Sequence, residues 1–234
     1  MSIRKIGKID ILLPYKLQFS CLLNKIFCDI IVYKLYGEGE HMDYTDYLMM
    51  YKKVEPKEFI NKFNGFTFRK FDGSENDIKL WYEICRCGII RDDETLESSY
   101  RTRLIEHIGY NPDTIFFVML EGKEVATVTA LTEENGTGWL HMVTAKPEAR
   151  GKGVAKYLIA IAEAALYKSG MKKILLQTKE FRSVAIKAYL SAGYKPVLYT
   201  DEMEERWTAF LNEYGYSKID AVDEDGNFLK TLNC

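Results

Sequence analysis

The chain has 234 residues, 47% of them hydrophobic and 28% charged, with a formal net charge of -2. That length suits one main α/β domain with an appendage, and the composition is that of an ordinary globular chain able to bury a core. The near-neutral balance gives no electrostatic case for nucleic acid. The five cysteines, odd in number and without a regular framework, suit a reducing, cytoplasmic compartment better than a disulfide scaffold.

Residues 1–41 read as an extension. The apolar run "IDILLPYKLQFSCLLNKIFCDIIVYKLY" is interrupted by Asp10, Lys16, Lys25 and Asp29 before it reaches the roughly 18 apolar residues of a membrane helix, so no membrane partner is expected. No small-residue cleavage site follows it, which argues against a signal peptide. The codons for "GEGEHM", Gly37 to Met42, can spell a purine-rich ribosome-binding stretch ahead of a start codon. The expectation is a translated leader, with the native product beginning at Met42. Residues 42–64 are expected to form an N-terminal linker or helical segment.

From Gly65 the patterning sharpens. "FTFRKF", residues 66 to 71, alternates as a strand does, and "ENDIKLWYEICRCGII" carries Ile78, Trp81, Tyr82 and Cys85 at helical spacing. Cys85 and Cys87 stand too close for half a zinc knuckle and no second pair follows, so no metal is expected. A second helix is predicted from Asp93 to Ile108, with acids in its first turn where the dipole favours them. The stretch from Thr114 to Ala145 supplies three β runs broken by turn signals at "EGK" and "NGTG", an antiparallel meander. Next, "GKGVAKYLIAIAEAALYKSG" places Val154, Leu158, Ile161, Ala162 and Ala165 on one helical face and stops at Gly170. "KKILLQT" reads as a buried strand, "SVAIKAYLSAG" as a helix ending at Gly193, and "YKPVLY" as another strand. Strand, loop, helix and strand between residues 139 and 178 form a βαβ unit, whose crossover makes its strands parallel. Residues 201–234 add an amphipathic helix with Met203, Trp207, Phe210 and Leu211 on its apolar side, and a hairpin turn at "DEDGN". Packing on the domain and a homodimer contact are both open for that helix.

The stretch "VTAKPEARGKGVAKYL", residues 143 to 158, joins the end of a strand to the start of a helix. Pro147 cannot donate to a ladder, and Gly151 and Gly153 allow a tight turn with no side chain in a ligand's path. The amides of the first helical turn, the dipole, and nearby Arg150 and Lys152 suit a phosphate or pyrophosphate. Walker and dinucleotide fingerprints fit poorly.

"VTAKPEARGKGVA" resembles the acyl-CoA signature of the GNAT superfamily of N-acetyltransferases, through Val143, Pro147, Arg150, Gly153 and Ala155. "RSVAIKAYLSAGYKP" resembles the same family's later helix, through Ala185, Tyr189, Gly193 and Tyr194, with Arg182 in place of a commoner Asn. The resemblance covers residues 65–200. It implies an α/β (α+β) fold with a mixed, mostly antiparallel central sheet flanked by helices and a splayed parallel strand pair at the acyl-CoA site. It implies acetyl-CoA as acyl donor, with pantetheine along the backbone of Val143, Thr144 and Ala145. The pyrophosphate would sit on Arg150, Gly151, Lys152, Gly153, Val154 and Ala155, with Arg182 and Ala185 alongside. The acceptor would be a small-molecule or peptide amine. Tyr189 matches the family's usual acid. For the base, His141 on the strand leading to the signature and Glu180 beyond "LLQT" are the candidates, and the acids at Asp92, Asp93, Glu94 and Glu97 suggest a cationic acceptor. The competing function is a catalytically silent acyl-CoA-binding or regulatory module.

Overall fold

The computed structural model describes residues 47–233, so the expected leader lies outside the described residues. Ten strands form one sheet in the order β10-β9-β8-β1-β7-β6-β5-β4-β3-β2. The strands are β1 (Leu48–Lys53), β2 (Lys62–Phe63), β3 (Phe66–Lys70), β4 (Ile115–Leu120) and β5 (Lys123–Thr132). They continue with β6 (Thr137–Ala145), β7 (Lys173–Thr178), β8 (Lys195–Val197), β9 (Lys218–Val222) and β10 (Phe228–Asn233). The helices are α1 (Glu75–Cys85), α2 (Leu96–Tyr100), α3 (Val154–Lys168), α4 (Ser183–Ser191) and α5 (Glu202–Glu213).

The meander β3-β4-β5-β6 is antiparallel throughout. β6, α3 and β7 form the expected parallel unit. Its helix buries Val154, Leu158, Ile161, Ala162 and Ala165 against the sheet. The left-handed Gly170 follows the helix, as the sequence anticipates. α5 places Met203, Trp207, Phe210 and Leu211 in that same main core, so its apolar side packs on the domain.

Two expectations are corrected. Residues 48–53 are neither linker nor helix. They form β1, which lies between β7 and β8 and is antiparallel to both. Leu48, Met49 and Met50 are all buried, as in a central strand covered on both faces, and three consecutive apolar residues carry no period to read. The predicted helix over 93–108 is shorter and irregular. α2 begins after Thr95, whose side chain accepts from the Ser98 amide, and it passes into a π-helical turn at Arg101–Ile105. Asp93 and Glu94 precede the helix and face arginines instead of its dipole.

A second core lies between the sheet and α1, α2 and the π turn. It contains Phe71, Trp81, Ile84, Leu104, Phe117 and Met142. The two cores meet different faces of β6, and that strand organises the site.

Candidate active site

Pairing between the parallel strands β6 and β7 runs only from Thr137↔Lys173 to Trp139↔Leu175. β6 continues to Ala145 and β7 to Thr178, so the strands part and leave backbone donors and acceptors without a ladder between them. Buried backbone polar groups need partners, so this fork suits an extended polar ligand.

At the fork β6 also bulges. Thr127 pairs with Thr144 and Thr129 with His141, so Met142 and Val143 stand opposite the single residue Val128. Met142 takes φ 50°, which is rare for a side chain of its kind and belongs to a bulge rather than a regular strand. The extra residue reverses the alternation. Leu140 packs in the main core, Met142 packs in the second, and Val143 and Ala145 return to the main one. Thr144 then turns its hydroxyl toward Gly88, beyond the end of α1. No residue type in "LHMVTA" demands a left-handed Met142, so the bulge was not readable from sequence.

Past Ala145 the chain makes a short 3-10 turn at Pro147–Ala149 and then the glycine loop. The Arg150 amide bonds back to the Pro147 carbonyl, and the first intrahelical bond is Tyr157 N–H to Gly153 O. The amides of residues 151–156 between them have no backbone or side-chain acceptor among the described residues. Gly151 has φ 73°, and a Cβ built on it would meet nothing within 4 Å, so the loop leaves an open cradle. Such a set of unpaired donors at a helix start suits an anion such as a phosphate. Arg150 has a different role from a free phosphate ligand. Its Nε donates to the Ala145 carbonyl at 3.1 Å and Nη2 to the Cys87 carbonyl at 2.6 Å, so it staples the loop to the segment after α1. Lys152 is exposed, Val154 is buried and Ala155 is half-buried in the first turn of α3.

Tyr189, two turns into α4, is only 6% exposed, with its ring edge-on to Tyr194 at 5.8 Å. Burial raises its pKa, and the nearby Arg182 charge partly opposes the rise, so the phenol stays protonated at neutral pH. Ala185, one turn earlier, lies half-buried against the main core. Glu180 is taken up by Arg206 of α5, which donates from Nε at 2.7 Å, so its carboxylate serves to fix the turn after β7. A partner 26 residues downstream leaves no local signal in the sequence.

His141 sits beside the bulge. Its Nε2 lies 2.6 Å from the Arg103 carbonyl, an acceptor, which makes Nε2 the protonated nitrogen and leaves the lone pair on Nδ1. The π turn makes that carbonyl available, because His107 N–H bonds to the Leu104 carbonyl instead. Burial, then His107 and the Arg103 charge, push the His141 pKa down to about 3. Proton abstraction from an ammonium by so weak a base is strongly uphill. His107, absent from the sequence-derived candidates, packs against it with ring centroids 4.3 Å apart and the rings tilted by 51°. His107 is exposed as a residue, but its covered ring face and Arg103 lower its pKa too, so it is neutral at pH 7. Only the length of an unforeseen π turn brings it there.

The shift of His141 makes a stability prediction. Below pH 6.5 the unfolded chain binds a proton that the folded chain refuses, so stability present above that value is lost as pH falls toward 3. From pH 7 to pH 5 the loss is about 2 kcal/mol at most. Urea midpoints at both pH values should show this drop, and His141→Gln should remove most of it, His107 keeping a remainder of the same sign. An equal drop in parent and variant would exclude His141 as its source.

With this geometry in place, comparison with known proteins decides the family. A family model described as the acetyltransferase (GNAT) family matches residues 78–194, half of the chain. The chain belongs to the GNAT acetyltransferase family. The matched span includes the bulge, the fork, the cradle and Tyr189 of this GNAT domain. A solved GCN5-related N-acetyltransferase from Sphaerobacter thermophilus is 21% identical, with a TM-score of 0.52 over 66% of this chain and 51% of its own. One from Kribbella flavida is 14% identical with a TM-score of 0.44, over 64% of this chain and 54% of its own. The ribosomal-protein-S18-alanine N-acetyltransferase from Escherichia coli is 17% identical with a TM-score of 0.45, over 55% and 76%. The first of these supports the mixed α/β fold, and this GNAT chain spans about half its length. No curated protein matches. Among the described residues no helix is long and apolar enough to cross a membrane, and no group of three or more His, Cys, Asp or Glu could hold a metal.

Proposed function

We propose that this GNAT protein moves an acetyl group from acetyl-CoA to a primary amine by direct attack. The observation that carries the reading is the continuity of fork and cradle along residues 140–156: a strand edge without a ladder leads directly into six amides without acceptors. In this reading the backbone of Val143, Thr144 and Ala145 holds the pantetheine. The amides from Gly151 to Ala155 hold the pyrophosphate, while Arg150 keeps the loop in shape. Arg182 and Ala185 line the same end of α4.

Tyr189 donates to the sulfur as it departs. A lysine-like amine is protonated at pH 7, and freeing its lone pair costs about 4 to 5 kcal/mol. His107 is the better acceptor for that proton, since His141 is held as a weak base and Glu180 is tied to Arg206. His141 then acts by positioning the His107 ring that packs against it.

The test is thiol release by the purified chain given acetyl-CoA and a panel of amines, amino acids and peptides. Turnover with at least one acceptor is expected, with His107→Gln about 100-fold slower in kcat/KM and unchanged in acetyl-CoA affinity. Binding of CoA with no thiol released from any acceptor would instead favour a silent acyl-CoA-binding module. A His107→Gln variant as fast as the parent would leave the base to ordered water.

A further inference from the structure

Arg182 stands where the chain leaves β7 for α4, directly past one arm of the fork, and is the N-cap residue of the helix that carries Tyr189. Its Nε is buried and has no hydrogen-bond partner, and no carboxylate among the described residues pairs with the guanidinium. The contact it does make is over the ring of Phe181 at 5.0 Å, and that ring is 75% exposed. Burial lowers its pKa, and the groups around it are the phenols of Tyr47 and Tyr189 and the guanidinium of Arg103, none of which supplies a carboxylate. Arg103 reaches the fork from the other arm, since its carbonyl holds His141 of β6. Arg182 is half-buried with its Nε unsatisfied, so part of its hydration is already lost, and a ligand that brings an anion recovers that cost.

The acids that suggested a cationic acceptor do not offset this charge. Asp92 pairs with Arg86 at 2.7 Å and Asp93 with Arg91 at 3.2 Å. Glu94 accepts from Arg103 at both oxygens, at 2.7 and 2.8 Å. Three of those four acids are thus taken by arginines other than Arg182, and the fourth, Glu97, stands exposed on α2. The CoA pyrophosphate has its own cradle at the start of α3, and the 3′-phosphate lies beyond it, away from the thiol, so the ligand left to face Arg182 beside Tyr189 is the acceptor.

We propose that Arg182 pairs with a carboxylate on the acceptor, so that the amine acetylated here belongs to an amino acid or related amino-carboxylate. This rests on the acetyltransferase reading above. A guanidinium and a carboxylate match in a bidentate, charge-assisted pair, which would orient the acceptor's amine toward the fork.

Matched acceptors test it: lysine against cadaverine, ornithine against putrescine, phenylalanine against phenethylamine, each in thiol release with the full chain and acetyl-CoA. The amino-carboxylates are expected to have the higher kcat/KM, by about 100-fold. Arg182→Gln should erase most of that ratio through KM, and Arg182→Lys, which keeps the charge but not the fork of donors, should restore part of it. Calorimetric binding of the amino acid to the parent with CoA present gives a second readout should the Gln variant fold poorly. Equal or better turnover of the decarboxylated amines would overturn the assignment while leaving the acetyltransferase reading intact. So would a uniform loss of kcat in Arg182→Gln across all acceptors, which would assign the charge to the departing thiolate. Absence of turnover with every acceptor would instead sink the acetyltransferase reading itself.

Discussion

Tyr189→Phe is expected to lower kcat by about 100-fold or more while leaving folding and acetyl-CoA affinity nearly unchanged. The ring packs edge-on against Tyr194 within the main core, and Phe keeps that packing, so the variant removes a donor and little else. The size of the loss carries the information. A phenol of ordinary pKa about 10 is a weaker acid than a thiol of about 8.5, so complete transfer to the departing sulfur is uphill by about 2 kcal/mol even in water. Burial of Tyr189 increases that gap, and Arg182 reduces it. Its contribution is then the stabilisation of developing negative charge by a buried hydrogen bond, which in a water-excluded site is worth about 3 to 4 kcal/mol. A neutral hydrogen bond elsewhere contributes only about 1 kcal/mol net. Single-turnover thiol release with a confirmed acceptor separates the two, and a Phe variant that matches the parent from pH 6 to 9 would reduce Tyr189 to a core aromatic.

The parts of this site that the sequence displays are those built from local pattern. The face of α3 repeats at helical spacing, and Gly151, Gly153 and Pro147 write the loop ahead of it in residues with few other uses. Tyr189 falls on a helix whose period and stop at Gly193 are equally local. What could not be read depends on residues far apart. β1 gains its place from β7 and β8, more than a hundred residues downstream, and its own run of Leu48, Met49 and Met50 is too short to announce it. The bulge at Met142 shifts which core each later side chain of β6 enters, a placement that depends on the packing of both faces and not on local pattern. The π turn that frees the Arg103 carbonyl sets His107 against His141, so both the weak basicity of one and the candidacy of the other are tertiary facts. Arg182 looks like a simple departure from the family's Asn until the absence of a carboxylate beside it, among the described residues, is seen.

Gly151→Val is expected to raise the Kd for CoA by about 100-fold and to change pantetheine binding little, because the added side chain enters the cradle and not the fork. Two lost amide bonds to a phosphate, at about 1.5 to 3 kcal/mol each, suffice for that loss. The structure separates this position from its neighbour. A Cβ on Gly153 would lie 3.3 Å from both Asn64 Nδ2 and Phe63 Cε1, so Gly153→Val strikes the protein itself. A Cβ on Gly151 meets no protein atom within 4 Å, and the remaining cost is its left-handed φ of 73°. For valine that strain is about 1 to 2 kcal/mol, which in a domain of this size lowers Tm by about 2 to 8 °C. Asn tolerates the left-handed region, so Gly151→Asn fills the same space with less strain. If loop strain were the reason for weakened binding, only the Val variant would lose affinity. If steric exclusion of the pyrophosphate is the reason, both lose it, and pantetheine, which lacks that group, still binds to both. Calorimetry with CoA and with pantetheine on the two folded variants distinguishes these outcomes, and unchanged CoA affinity in both would remove the amides after Arg150 from the donor site.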